Sequence, residues 1–128
     1  MSKTVVTAPK AGAPVGPYSQ AVVANGMIFV SAEKGVDPTT GKIVPGGVPA
    51  ETEQALKNIA AVLEAAGSSL GQVVRCVVYL KDINQFAAMN EAYARVFTET
   101  PPARTTVGVA GLPVGLQVMI EATAVIPL

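Results

Sequence analysis

Two side chains in this 128-residue chain have the types and settings for chemistry. Arg104 follows Pro101-Pro102-Ala103 and begins a β-rich stretch in an otherwise apolar neighbourhood. Its rigid fork suits a planar carboxylate, because it makes two parallel hydrogen bonds. Glu121 sits in Val118-Met119-Ile120-Glu121-Ala122-Thr123-Ala124-Val125-Ile126, with no other charge nearby. A carboxyl in apolar surroundings holds its proton more tightly and can act as acid or base near neutrality. Each has a plain structural reading as well: a surface arginine at a strand edge, a sheet-face glutamate beside a cation, or the two as one salt bridge.

Tyr18 and Ser31 are weaker candidates that could offer hydroxyls to a pocket, and Asn90 interrupts an apolar helix side. Taken singly, each is more simply structural. Cys76, among valines, reads as a small core hydrophobe. The glycines at 41, 46 and 47 lack the spacing of a phosphate-binding loop.

Composition narrows the chemistry further. There is no histidine and one cysteine, which removes histidine-based triads and acid–base pairs and makes a zinc site a poor expectation. Catalysis would fall to carboxylates, Arg, Lys, Tyr, backbone groups and water. Nine basic residues balance nine acidic ones, and no basic cluster exists, so nucleic acid and acidic membrane surfaces are disfavoured as partners. Charged residues are only 14% of the chain, against about 25% in an average soluble domain. A small domain short of charge implies that other copies cover part of its surface, in a homo-oligomer of closed symmetry. Met1 to Val15 carries no apolar run of signal-peptide length, and no stretch nears the ~20 apolar residues of a membrane span. With no internal disulfide possible, the expected location is the cytoplasm.

The elements that must position these residues can be read in turn. One domain is expected over residues 1–128, without repeats. Tyr18 to Ala24 and Met27 to Ser31 flank Asn25-Gly26, a strong hairpin signal, which sets Phe29 opposite Val22. Pro49 opens a helix in which Leu56, Ile59, Ala60, Leu63 and Ala66 form an apolar stripe; Glu53 and Lys57 have ion-pair spacing on the other side, and Gly67 is the stop. Val73 to Leu80 has the β-branched character of a central strand. Asp82 can cap a second helix, whose buried stripe is Phe86, Met89, Tyr93, Val96 and Phe97. Arg104 to Val109 and Leu116 to Ile126 are two final strands. If they form a hairpin turning near Pro113-Val114, Arg104 and Glu121 are diagonal neighbours on one face.

The expected fold is therefore α+β: a two-layer sandwich of order ββαβαββ, with a further short strand at Thr4 to Thr7 and both helices on one face of a mixed sheet. The other sheet face is bare, and association through it would account for the missing charge.

Several segments together resemble the Rid/YjgF family of reactive-intermediate deaminases. They are Ala8-Pro9, Gly16-Pro17-Tyr18-Ser19-Gln20-Ala21, Asn25-Gly26, Phe29-Val30-Ser31, Asp37-Pro38 with Gly41, Asn58-Ile59, Val73 through Leu80, Phe86 with Asn90 and Tyr93, Pro102-Ala103-Arg104, and Ile120-Glu121-Ala122. The resemblance runs along essentially the whole chain. It implies a chorismate-mutase-like fold and a homotrimer with sites in the clefts between subunits. It also implies hydrolysis of 2-imino acids, such as 2-iminobutanoate and 2-iminopropanoate, to 2-oxo acids and ammonia, without metal or organic cofactor. The implied roles are carboxylate binding by Arg104 and water placement by Glu121. Tyr18, Ser31, Ala32, Asn90 and Thr106 complete the implied substrate-binding set.

Departures from the family pattern bear on substrate range and activity. Ser31-Ala32-Glu33 stands where members often have Ser-Gly-Gln, and Thr106 where they often have Cys. The Phe97–Arg104 segment is also shorter than usual. Two other functions stay open: a non-catalytic protein that binds small carboxylates such as 2-oxo acids, and an RNA-cleaving translation inhibitor, which the neutral charge and missing histidines disfavour.

Overall fold

The computed structural model describes residues 2–128. In chain order the elements are β1 (Thr4–Val6), β2 (Ala21–Ala24), β3 (Met27–Lys34), α1 (Gly47–Ala65), β4 (Val73–Leu80), α2 (Phe86–Val96), β5 (Ala103–Gly108) and β6 (Val118–Val125). The six strands form one mixed sheet of order β1-β2-β3-β6-β4-β5. Every pair is antiparallel except β4 with β5. The two helices pack on one another, and α1 packs on β3 and β6. This is the expected chorismate-mutase-like α+β arrangement.

Local chemistry explains the elements. Asn25 and Gly26 both have positive φ, 52° and 73°, as a two-residue type I′ hairpin turn demands, and Val22 faces Phe29 as expected. α1 buries Leu56, Ile59, Val62 and Leu63 completely; each such side chain contributes about 1.5–3 kcal/mol by leaving water. Gly67, at φ 83°, lets the chain turn so that the Ser68 N–H reaches the Leu63 carbonyl at 2.8 Å and ends the helix. Asp82 does cap, but its side chain accepts from the Asn84 N–H in a short 3-10 turn that leads into α2. Glu53 finds a partner other than the Lys57 one turn on. It pairs with Arg95 of α2 at 2.8 Å, since the packed helices bring those two surfaces together.

The expected hairpin of β5 with β6 does not form. β6 is inserted between β3 and β4, and β5 lies beyond β4 at the sheet edge. The β4–α2–β5 crossover sets β5 parallel beside β4, the usual outcome of a strand–helix–strand unit. β6 alternately buries Val118, Ile120, Ala122 and Ala124, and gains most at the centre. Ala-Arg-Thr-Thr-Val-Gly is polar enough for an edge.

This order separates the two leading candidates. Arg104 is level with Cys76, and Cys76 with Ala122; Glu121 is level with Val77, and Val77 with Thr105. Residues facing one another across strands share a sheet face. Arg104 therefore lies on the helix-covered face and Glu121 on the bare one, so one protomer cannot place both around one small molecule.

A candidate active site in two halves

The first half is a crevice of about 450 Å³ lined by Asn90, Tyr93, Phe97, Pro101, Pro102 and Arg104. β5 supplies the half-buried Arg104, and α2 supplies its setting. Arg104 Cζ lies 4.7 Å from the centroid of the Tyr93 ring and 5.6 Å from that of Phe86. The negative ring faces attract the cation and hold its plane. Arg104 Nη2 donates to Asn90 Oδ1 at 2.7 Å. Among the described residues the only ion pair is Arg95 with Glu53, so no carboxylate compensates Arg104.

Two buried hydroxyls lie on the Arg104 side of the sheet, Tyr93 against the guanidinium and Thr106 two residues along β5. The phenol of Tyr93, which is 5% exposed, has no ordinary hydrogen bond, and neither does the Thr106 hydroxyl. Burial pushes the Tyr93 phenol well up, with a further push from Cys76 and an opposing pull from Arg104. Burial likewise pushes the Cys76 thiol up, against the Tyr93 hydroxyl and the Arg104 charge. Both groups stay protonated near neutrality, which leaves Cys76 a core residue and not a nucleophile.

The second half is a cleft of about 1010 Å³ whose lining includes Tyr18, Ser31, Ala32, Glu33, Val114 and Glu121. The loop carrying Tyr18 is held by the buried Gln20. Its amide oxygen accepts from the Ala8 N–H at 2.6 Å, and its amide nitrogen donates to the Ala8 and Gly12 carbonyls at 3.1 and 2.9 Å. Ser31 Oγ donates to the Ser19 carbonyl at 2.7 Å, which ties β3 to the same loop. Asn58 on α1 closes another wall by donating to the Lys34 and Val36 carbonyls, both at 2.9 Å.

Two carboxyls belong to this cleft. Glu121 accepts a hydrogen bond from the Tyr79 hydroxyl. Glu33 is 7% exposed, and burial pushes its carboxyl up to about 7, with Lys34 pulling the other way. A third acid, Glu51 of α1, is buried behind the cleft and accepts from the Gln117 N–H at 2.9 Å, anchoring the turn before β6. Burial raises its proton affinity, against the pull of the Gln117 and Val118 N–H groups. In that turn Val114 has φ 49° and is 82% exposed. A β-branched residue rarely adopts this left-handed conformation.

Of the residues expected to act together, Arg104 and Asn90 meet in the crevice, Thr106 lies outside its lining on the same sheet face as Arg104, and Tyr18, Ser31, Ala32 and Glu121 line the cleft. Sequence reasoning missed the aromatic bed under Arg104 and the Tyr79 contact to Glu121. Phe86 and Tyr93 were visible only as a helix stripe. Tyr79 becomes significant once β4 is known to lie beside β6.

Residues 8–126 match the family model described as Endoribonuclease L-PSP. A RutC family protein of Pyrococcus horikoshii is 48% identical over 122 residues, 95% of this chain and 97% of that protein. A human protein named 2-iminobutanoate/2-iminopropanoate deaminase is 44% identical over 123 residues, 96% of this chain and 90% of that protein. Among solved structures, the YjgF gene product of E. coli gives a TM-score of 0.91 at 42% identity, covering 95% of this chain and 98% of that one.

Proposed function

The chain belongs to the endoribonuclease L-PSP family, the Rid/YjgF proteins, and from that premise we propose that it hydrolyses 2-imino acids to 2-oxo acids and ammonia. We further propose that each active site is completed between copies of the chain in a homotrimer. The crevice of one copy supplies Arg104 and Asn90, and the cleft of another supplies Glu121, with Tyr18 and Ser31. The observation that carries this reading is a half-buried guanidinium, fixed by two rings and an amide, with no carboxylate among the described residues to neutralise it. Such a group is prepared for an anion from outside the chain.

The chemistry asks little beyond placement. In R–C(=NH2+)–COO⁻ the imine carbon is already electrophilic. Arg104 holds the carboxylate, and Glu121 accepts a proton as water adds, giving a carbinolamine. The same carboxyl returns that proton to nitrogen; the C–N bond breaks and releases NH3 as the hydroxyl gives its proton to Glu121 and becomes C=O, and that proton then passes from Glu121 to NH3 to form ammonium. The net change is imine plus water to 2-oxo acid plus ammonium, with no redox partner. Holding the reactants together supplies much of the rate.

The composite site has a direct test. Arg104→Ala and Glu121→Gln variants are each prepared, mixed after partial unfolding, and refolded together. Either variant alone should hydrolyse enzymatically generated 2-iminobutanoate at least roughly 100-fold more slowly than the unmodified protein, whereas mixed assemblies should regain activity. In those assemblies some interfaces pair an intact Arg104 with an intact Glu121. Full activity of either variant alone, or no recovery in assemblies shown to be mixed, would defeat the shared site. If the unmodified protein binds 2-oxobutanoate but does not hasten imine decay, the chain is a carboxylate-binding protein instead.

A further inference from the structure

Tyr79 takes no part in the two halves as described, yet it touches the one carboxylate on which the proposed hydrolysis turns. β4 places Tyr79 level with Met119 and Val77 level with Glu121, so Tyr79 and Glu121 are diagonal neighbours on the bare face. The phenol O–H donates to Glu121 Oε1. Among the described residues Glu121 Oε2 has no such partner. Glu121 lines the cleft, and Tyr79 does not. We propose that Tyr79 is a positioning residue for the reaction: it pins Oε1 and thereby presents Oε2 to the attacking water.

The physical case rests on direction and freedom. The contact to Glu121 makes the Tyr79 phenol hold its proton more tightly, with burial adding to this and Arg75 opposing it. The phenol is thus the donor at neutral pH, and the carboxylate the acceptor. A free glutamate side chain samples several rotamers and two equivalent oxygens, whereas a pinned one offers a single oxygen in a single place. The gain is in the chemical step. Substrate binding belongs to the Arg104 of another copy, whereas the Tyr79 hydroxyl is engaged with Glu121.

The inference rests on the imine-deaminase reading, and the experiment separates the two. Tyr79→Phe, Glu121→Gln and the double variant are assayed on 2-iminobutanoate beside the unmodified protein, with circular dichroism to show that each is folded. Tyr79→Phe should lower kcat roughly 10-fold with KM nearly unchanged, the loss of one hydrogen bond to a charged group. In the Glu121→Gln background the same change should cost less than about twofold, because a residue that acts through Glu121 has nothing left to act on. An unchanged kcat in Tyr79→Phe, or an undiminished cost in the double variant, would overturn the proposal. Alkaline absorbance titration of the three tyrosines gives a readout independent of turnover: Glu121→Gln should move one ionisation to lower pH. Absence of that movement would show that the contact itself is missing. If the movement is present but the unmodified protein does not hydrolyse imines, the reaction falls, and the role of Tyr79 falls with it, while the contact stands.

Discussion

The Arg104 crevice and the Glu121 cleft are built on opposite faces of one sheet by different means. The crevice is small, and secondary structure shapes its active part: a strand places the guanidinium, and a helix places two rings and an amide against it. The cleft has more than twice the volume and is closed largely by loops, which Gln20, Ser31 and Asn58 stitch to the sheet and helix. Elements of regular structure hold a charge where it must not move. Loops set the outline of a space whose contents can differ. On the proposed reading, the difference corresponds to binding energy in the first half and proton movement and selectivity in the second.

The widest separation between the halves should appear in steady-state kinetics. Arg104→Ala should reduce kcat/KM by roughly 100-fold, chiefly through KM, because a charge-assisted grip on the carboxylate is lost. Glu121→Gln should reduce kcat by ~10²–10³ with KM little altered, as expected when a proton acceptor is removed. If both variants lose activity through KM alone, the division of labour is wrong.

A second contrast concerns pH. The cleft holds Glu33, whose carboxyl sits at about 7 when folded against an ordinary value of 4.5. Between these values the folded chain binds more protons than the unfolded one, so Glu33 lowers stability as pH rises from about 4.5 to 7. Glu33→Gln should raise Tm at pH 8, with a gain on the order of 2 kcal/mol, and leave it nearly unchanged at pH 4.5. Equal Tm values for variant and parent at pH 8 would mean that the carboxyl is not desolvated.

The smallest effect is expected in the loop wall. Val114→Gly relieves a left-handed conformation that costs an L-residue ~1–2 kcal/mol, and gives back ~0.4–1 kcal/mol through the freedom glycine adds to the unfolded chain. Stability should rise by about 0–1.6 kcal/mol, as measured by urea unfolding. KM for imines with larger apolar side chains should rise as the wall recedes, while that for the smallest imine stays put. A fall in stability would show that Val114 has packing in the assembly that outweighs its backbone strain.

Much of this was legible in the chain itself. The Asn25-Gly26 turn, the Leu56, Ile59 and Leu63 core of the α1 stripe and the alternation of Val118 through Val125 depend on neighbours in sequence and took their expected form, while Ala60 and Ala66 are only partly buried and Val62 joins the buried side. Arg104 and Glu121 stood out by residue type and setting. What could not be read was which strand sits beside which. That order follows from competition among whole strands for the buried centre, and it reversed the expected relation of Arg104 to Glu121. The Glu53–Arg95 pair and the aromatic bed under Arg104 escaped notice for the same reason, since each joins surfaces of separate elements. Tyr79 lay in plain view on β4, without a signal until its neighbour was known.

The position of β5 has a consequence for the life of a newly made protomer. An edge strand shows a row of unsatisfied N–H and C=O groups, and the adjoining bare face exposes Phe29 and Val107. Left uncovered, such an edge is a template for mispairing and aggregation. The six-residue length of β5 and its Arg104-Thr105-Thr106 run are devices that discourage this. Loss of the arginine should therefore show twice, once in the assay and once as a poorer soluble yield from the cell.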